Sequence, residues 1–163
     1  MTLLDHIPDA HQWRIEIIAT DIAEKILERA REGVYSQLEV QRGLPVQQLV
    51  KYFDKHPQGF QVKPSIRRMV SFQQLNLFDP FARLGQFDVI FCRNVLIYFN
   101  TAAKADILNR MSRQLASDGY LILGAAETVL GLTEAYARTP CCKSAVYTLS
   151  GKPSGKLPVS SLN

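Results

Sequence analysis

The sequence predicts an α/β protein built on an open, mostly parallel sheet covered by helices. Two observations carry that expectation. A short apolar, β-branched run, Trp13 to Ala19, ends at Thr20-Asp21, and Ile22, Ile26, Leu27 and Ala30 then recur at helical spacing up to Gly33. Further on, the apolar run Phe87 to Cys92 is followed by a helical pattern over Ala102 to Leu115 and a second apolar run at Tyr120 to Leu123. Strands that alternate with helices pack as a parallel sheet between helical layers.

The remaining elements follow in order. Residues 34–68 are too many for a plain connection and should carry structure of their own. Pro45 suits a first helical position, and Val46, Leu49, Val50 and Phe53 then mark a short amphipathic helix. Phe60 and Val62 alternate with polar neighbours, and Arg67 to Phe72 is a further strand. The stretch reads as an inserted helix and hairpin. Asn100-Thr101 caps the later helix, whose Ala103, Ile107, Met111 and Leu115 share a face, and Asp118-Gly119 makes a turn. Ala145 to Leu149 is the last strand, and the Gly-, Pro-, Ser- and Lys-rich stretch 151–163 is expected to be disordered.

Composition narrows the class. The chain has 163 residues, 47% of them apolar and 21% charged, the balance of an ordinary globular domain. No apolar stretch approaches the roughly 20 residues of a membrane span. Residues 1–12 read as a leader without an apolar core, so no secretory signal is expected. Vicinal Cys141 and Cys142 make a poor disulfide framework and suggest a reducing cytoplasm. The net charge of +4 is scattered, which argues against nucleic acid as the partner. His6, His11 and His56 lack metal-ligand spacing, so no metal is expected.

In an open parallel sheet ligands bind beyond the carboxyl ends of the strands. Asp21, Asn76-Leu77, Arg93-Asn94 and Gly124 to Glu127 stand at such ends. Asp21 can accept hydrogen bonds from two ribose hydroxyls, or cap the helix that follows. Asn76 can read an adenine edge while Leu77 packs on the ring, or the two can be a loop Asn and a core Leu. Arg93 can fork onto a carboxylate and Tyr98 can face a cationic centre; equally, Arg93, Asn94 and Tyr98 can be an interior ion pair, a cap and a core ring. Glu127 is a site acid or a first-turn residue at a helix N-terminus. Cys92, inside an apolar strand, is a packing residue rather than a nucleophile.

The string Phe87-Asp88-Val89-Ile90-Phe91-Cys92-Arg93-Asn94-Val95-Leu96-Ile97-Tyr98-Phe99 closely resembles a signature of the CheR family of chemoreceptor protein-glutamate methyltransferases. Ala19-Thr20-Asp21-Ile22 with Ala30 to Tyr35, Phe72 to Leu77, and Tyr120 to Thr128 are similar to further segments of that family, in the same order. The resemblance implies a class I S-adenosylmethionine-dependent methyltransferase fold, Rossmann-like and mostly parallel. Residues 13–150 would be a partial catalytic domain that carries the inserted subdomain 34–68. It implies methyl transfer from S-adenosylmethionine, leaving S-adenosylhomocysteine, to glutamate side chains of chemoreceptor cytoplasmic helices during chemotaxis. By resemblance Asp21 would hold the ribose, Asn76 and Leu77 the adenosine, and Asn94 the donor pocket, with Arg93 and Tyr98 at the reacting centre.

The sequence departs from the family pattern ahead of Trp13. The amino-terminal helical domain, the first strand and its Gly-rich turn have no counterpart, and residues 1–12 contain no glycine. Gly124-Ala125-Ala126-Glu127 also lacks a His found in some relatives. A sheet without its first strand exposes edges, so self-association and weak cofactor binding are expected. The alternative is a non-catalytic protein-binding or regulatory remnant of the same fold.

Overall fold

Residues Thr2–His6 form a short helix, α1, whose Asp5 carboxylate accepts hydrogen bonds from Gln48 (2.8 Å), Lys51 (2.6 Å) and Tyr52 (2.5 Å). The donors Lys51, foremost, and Tyr52 hold the Asp5 carboxyl well below the usual carboxylate range. The stretch expected to be a leader is therefore tied to the fold around it. The computed structural model describes residues 1–140 and 145–151, which divide into two compact units, one spanning Met1–Asn76 and one beginning at Leu77. Cys141, Cys142 and the tail beyond Gly151 lie outside the described residues.

In the first unit, strand β1 is Ile17–Asp21 and helix α2 is Glu24–Glu32. The strand starts later than Trp13 because the ladder does: the amide of Ile17 donates to the carbonyl of Met69, whereas Trp13 is 57% exposed. Gly33 closes α2 at φ +63°, donating to the Arg29 carbonyl, as a residue without a Cβ readily does. Leu27 is buried, but Ile22 and Ile26 are exposed, so the expected apolar face is only partly covered. Ile22 precedes the first helical residue, which removes it from the helical period.

Residues 34–68 fold into short helices and a hairpin, and Phe53, expected on the helix, begins a strand instead. They give β2 (Val34–Tyr35), α3 (Gln37–Gln41), α4 (Val46–Tyr52), β3 (Phe53–His56), β4 (Gly59–Val62) and α5 (Pro64–Arg67). The three strands form an antiparallel sheet in the order β2-β4-β3. A reciprocal pair of hydrogen bonds between Ser36 and Glu39 starts α3. Pro45 caps α4 rather than occupying its first turn, and α4 buries Tyr52 while Val46 and Val50 face solvent. Arg67 belongs to α5, so strand β5 is Val70–Gln74, shifted from the expected Arg67 to Phe72. β1 and β5 pair in parallel, from Ile17 opposite Val70 to Asp21 opposite Gln74.

The second unit contains β6 (Phe87–Cys92), α6 (Thr101–Ser112), β7 (Leu115–Leu123), β8 (Tyr136–Arg138) and β9 (Val146–Leu149). The sheet order is β6-β7-β9-β8, with β6 and β7 parallel and the other pairs antiparallel. Asn100 caps α6 by accepting from the amide of Ala103 (2.9 Å). Leu96, Ile107, Leu108, Leu121 and Leu123 form the centre of the core. The architecture is α/β, with one parallel, one antiparallel and one mixed sheet.

Three expectations need correction here. β6 has the expected bounds but is not buried on both faces, since Val89 is 43% and Phe91 70% exposed. Leu115 begins β7 instead of ending α6, and Asp118-Gly119 is not a turn between elements. It is an irregularity inside β7, where the register jumps from Phe87 opposite Leu115 to Val89 opposite Tyr120. No described helix is long and apolar enough to cross a membrane.

Candidate functional site

In the first unit, parallel pairing brings Asp21 and Asn76 to the same end of β1 and β5. Gln74 lies opposite Asp21, and the Leu75 amide donates to the Asp21 carbonyl (3.0 Å), placing Asn76 just beyond the strand end. One carboxylate oxygen of Asp21 accepts from the Ala23 amide (2.8 Å), turning the chain into α2. Asp21 is not the cap of α2, whose N-cap is Ala23 with no side-chain cap; it turns the chain two residues ahead of it. The other carboxylate oxygen has no donor among the described residues, and Asp21 is half-buried. Gln74 reaches across to the Ile22 carbonyl (2.9 Å) and steadies the same turn.

The second unit begins with Leu77, whose carbonyl accepts from Arg110 (2.5 Å); the same guanidinium also binds the Asp79 carbonyl (2.8 Å). Arg93 and Asn94 follow Cys92 at the carboxyl end of β6, and Gly124 follows Leu123 at the same end of β7, the two strands pairing at Cys92 and Leu123. Arg93 lines an open cleft of about 470 Å³ together with Glu127, Thr128, Arg138 and Tyr147. Tyr98 does not line that cleft; it ends a 3-10 turn, Leu96–Tyr98, and is 82% exposed, which excludes the core-ring alternative. Arg93 makes no ion pair among the described residues, which excludes the interior salt bridge. Asn94 adopts φ +59°, a left-handed conformation that Asn tolerates better than most side chains.

Glu127 stands at no helix N-terminus, because turns and irregular backbone follow it. Its buried carboxylate instead accepts from the amides of Asn94 (2.7 Å), Val95 (3.0 Å), Leu96 (2.7 Å) and Gly124 (2.7 Å). Burial alone would push this carboxyl up, but the four amides together outweigh it and hold the group below its ordinary range. Cys92 is buried, and burial followed by the Glu127 charge pushes its thiol up to about 12, in keeping with packing rather than nucleophilic chemistry. Among the described residues no cluster of His, Cys, Asp or Glu could hold a metal ion.

Sequence reasoning missed Arg138 and the clamping role of Glu127. Arg138 lies on an antiparallel strand whose position beside the cleft depends on the β8–β9 pairing, so no local pattern marks it. For Glu127 there was a signal, the Gly three residues earlier at a strand end, but its other three partners are more than 30 residues away.

Comparison with known proteins gives the ancestry of this geometry. Residues 1–145 match the family model described as CheR methyltransferase, SAM binding domain. The chain is 44% identical over 133 residues to chemotaxis protein methyltransferase Cher2 of Pseudomonas putida, covering 81% of this chain and 48% of that protein. It is 45% identical over 134 residues to chemotaxis protein methyltransferase 1 of Pseudomonas aeruginosa, covering 82% and 49%. To the chemotaxis protein methyltransferase of Borreliella burgdorferi it is 39% identical over 123 residues, covering 73% and 42%. The chain spans about half the length of the curated relatives it matches. With a family match over nearly its whole length, the chain belongs to the CheR methyltransferase family, within its S-adenosylmethionine-binding domain.

Proposed function

We propose that this chain binds S-adenosylmethionine and serves a chemotaxis methyltransferase that methylates glutamate side chains on the cytoplasmic helices of chemoreceptors. The observation that carries the reading is the placement of Asp21 and Asn76 at the carboxyl ends of two adjacent parallel strands, beside a free carboxylate oxygen. In the first unit the Asp21 carboxylate suits a ribose diol and the Asn76 amide a base edge; in the second, taken by itself, Leu77 would pack on a base and Asn94 would stand at the donor end. When bound, the cofactor would supply a methyl group on a cationic sulfur. Glutamate is already ionised near neutral pH, so the protein's task is alignment and exclusion of water rather than proton transfer. Arg93 would orient the incoming carboxylate, with Arg138 adding positive charge to the same cleft. The exposed Tyr98 ring would face the cationic centre. The setting would be the cytoplasm, where chemoreceptor tails lie.

Calorimetric titration with S-adenosylhomocysteine tests this. Heat of binding is expected with the unsubstituted chain. Asp21→Ala is expected to weaken binding roughly tenfold to a hundredfold, the range of a lost hydrogen bond to a charged group. Absence of heat with the unsubstituted chain, or an unchanged affinity in the variant, would remove the reading.

A second reading, a protein-binding module, is favoured by the exposed apolar face of β6. Val89 and Phe91 stand on a strand whose second edge has no partner among the described residues. Self-association through that edge is expected to appear as dimers or larger species in sedimentation velocity at high concentration, and Phe91→Lys should return them to monomer. A monomer at every concentration would rule it out.

A further inference from the structure

The loop that leaves β6 is organised around a carboxylate supplied from far along the chain. Glu127 is 7% exposed, and its oxygens accept from the amides of three consecutive residues, Asn94, Val95 and Leu96, and from Gly124. Successive amides that converge in this way form an anion-binding nest, here filled by a side chain of the same protein. The left-handed φ of Asn94 sets the direction of the Val95 amide relative to that of Asn94. Beyond the nest, the side chains of Arg93 and Tyr98 make no hydrogen bond or ion pair with any described residue, so the backbone that carries them sets where they point.

We infer that Glu127 is the positioning residue of the site: acting through the amides of residues 94–96 and 124, its carboxylate sets the path of the chain on which Arg93, Asn94 and Tyr98 are presented. The inference rests on the reading of those three residues as ligand-facing. It goes beyond that reading in assigning the geometry of the site to a carboxylate whose oxygens are taken up by backbone amides. Glu127→Gln tests it with little change of volume, since it removes the charge and turns one acceptor into a donor facing donors.

The experiment is nuclear magnetic resonance on the isotope-labelled chain, unsubstituted and Glu127→Gln, with and without S-adenosylhomocysteine. Amide exchange at Asn94, Val95, Leu96 and Gly124 should accelerate roughly tenfold or more in the variant. The three-bond amide–α-proton coupling of Asn94 should leave its positive-φ value, and S-adenosylhomocysteine affinity should fall. The ladder amides of β7 and β9 around Leu121 and Tyr147 should keep their protection. Unchanged exchange and coupling in the loop would overturn the inference, as would altered exchange with unaltered affinity. If the unsubstituted chain binds no S-adenosylhomocysteine, the cofactor reading falls, while exchange and coupling still decide whether Glu127 sets the loop. Should Glu127→Gln lose its sheet, Glu127→Asp retains the charge on a shorter stem, and full native protection in that variant would equally overturn the inference.

Discussion

Gly124→Ala is expected to destabilise the second unit by about 2–4 kcal/mol, read from chemical denaturation followed by circular dichroism. An ideal Cβ at this position would lie 2.5 Å from the Asn94 side-chain oxygen, 2.6 Å from a Glu127 carboxylate oxygen and 2.9 Å from the Asn94 backbone nitrogen. The Asn94 side chain can swing aside. The Glu127 oxygen and the Asn94 nitrogen cannot, because they are hydrogen-bonded to each other and the same oxygen also binds the Gly124 amide. Overpacking typically costs about 1–3 kcal/mol, and loss of a hydrogen bond to a charged group about 1.5–3 kcal/mol. The two overlap, since relieving the clash is what breaks the bond, which sets the combined figure. A loss below about 0.5 kcal/mol, the level of an ordinary surface substitution, would show that the loop yields freely and that the carboxylate does not hold it.

Leu121→Ala is expected to cost about 2–5 kcal/mol in the same measurement, through a different mechanism. Leu121 has no exposed surface and lies in β7 between Ile90 of β6 and Tyr147 of β9, with ladder pairing on both sides. Strands paired at this register cannot close over the missing carbons, so the cavity persists along with the lost transfer energy. The consequences differ in kind. A core cavity raises the population of the wholly unfolded unit, so slow amides throughout β6, β7 and β9 should accelerate together. The Gly124 substitution should concentrate its effect at residues 94–96 and 124. A Leu121→Ala exchange pattern confined to the loops would show that the sheet and the loops do not unfold in the order these contacts imply.

Local sequence determined a good part of this protein. The bounds of β6, the stop of α2 at Gly33, the Asn100 cap of α6 and the polar residues at strand ends were legible because each depends on neighbours a few residues away. The string from Phe87 to Phe99 also carried the family, which the match over residues 1–145 bears out. Strand starts were less legible: Trp13 and Arg67 are compatible with a strand, but a ladder begins where a partner is found, at Ile17 and Val70. The exposure of Phe91 was hidden as well, since an apolar run looks the same whether one face of its sheet is covered or two.

What only the tertiary structure decided is which groups meet across long separations. Asp118-Gly119 has the local chemistry of a turn, yet parallel pairing of β7 with β6 draws it into a strand as an irregularity. Arg138 reaches the cleft of Arg93 only through the β8–β9 pairing. Glu127 has the local features of a helix start, and becomes a clamp because the registers of β6 and β7 bring two strand ends side by side. A carboxylate satisfied by four backbone amides has no side-chain pattern to announce it, for amides are common to every residue and only their convergence in space is specific.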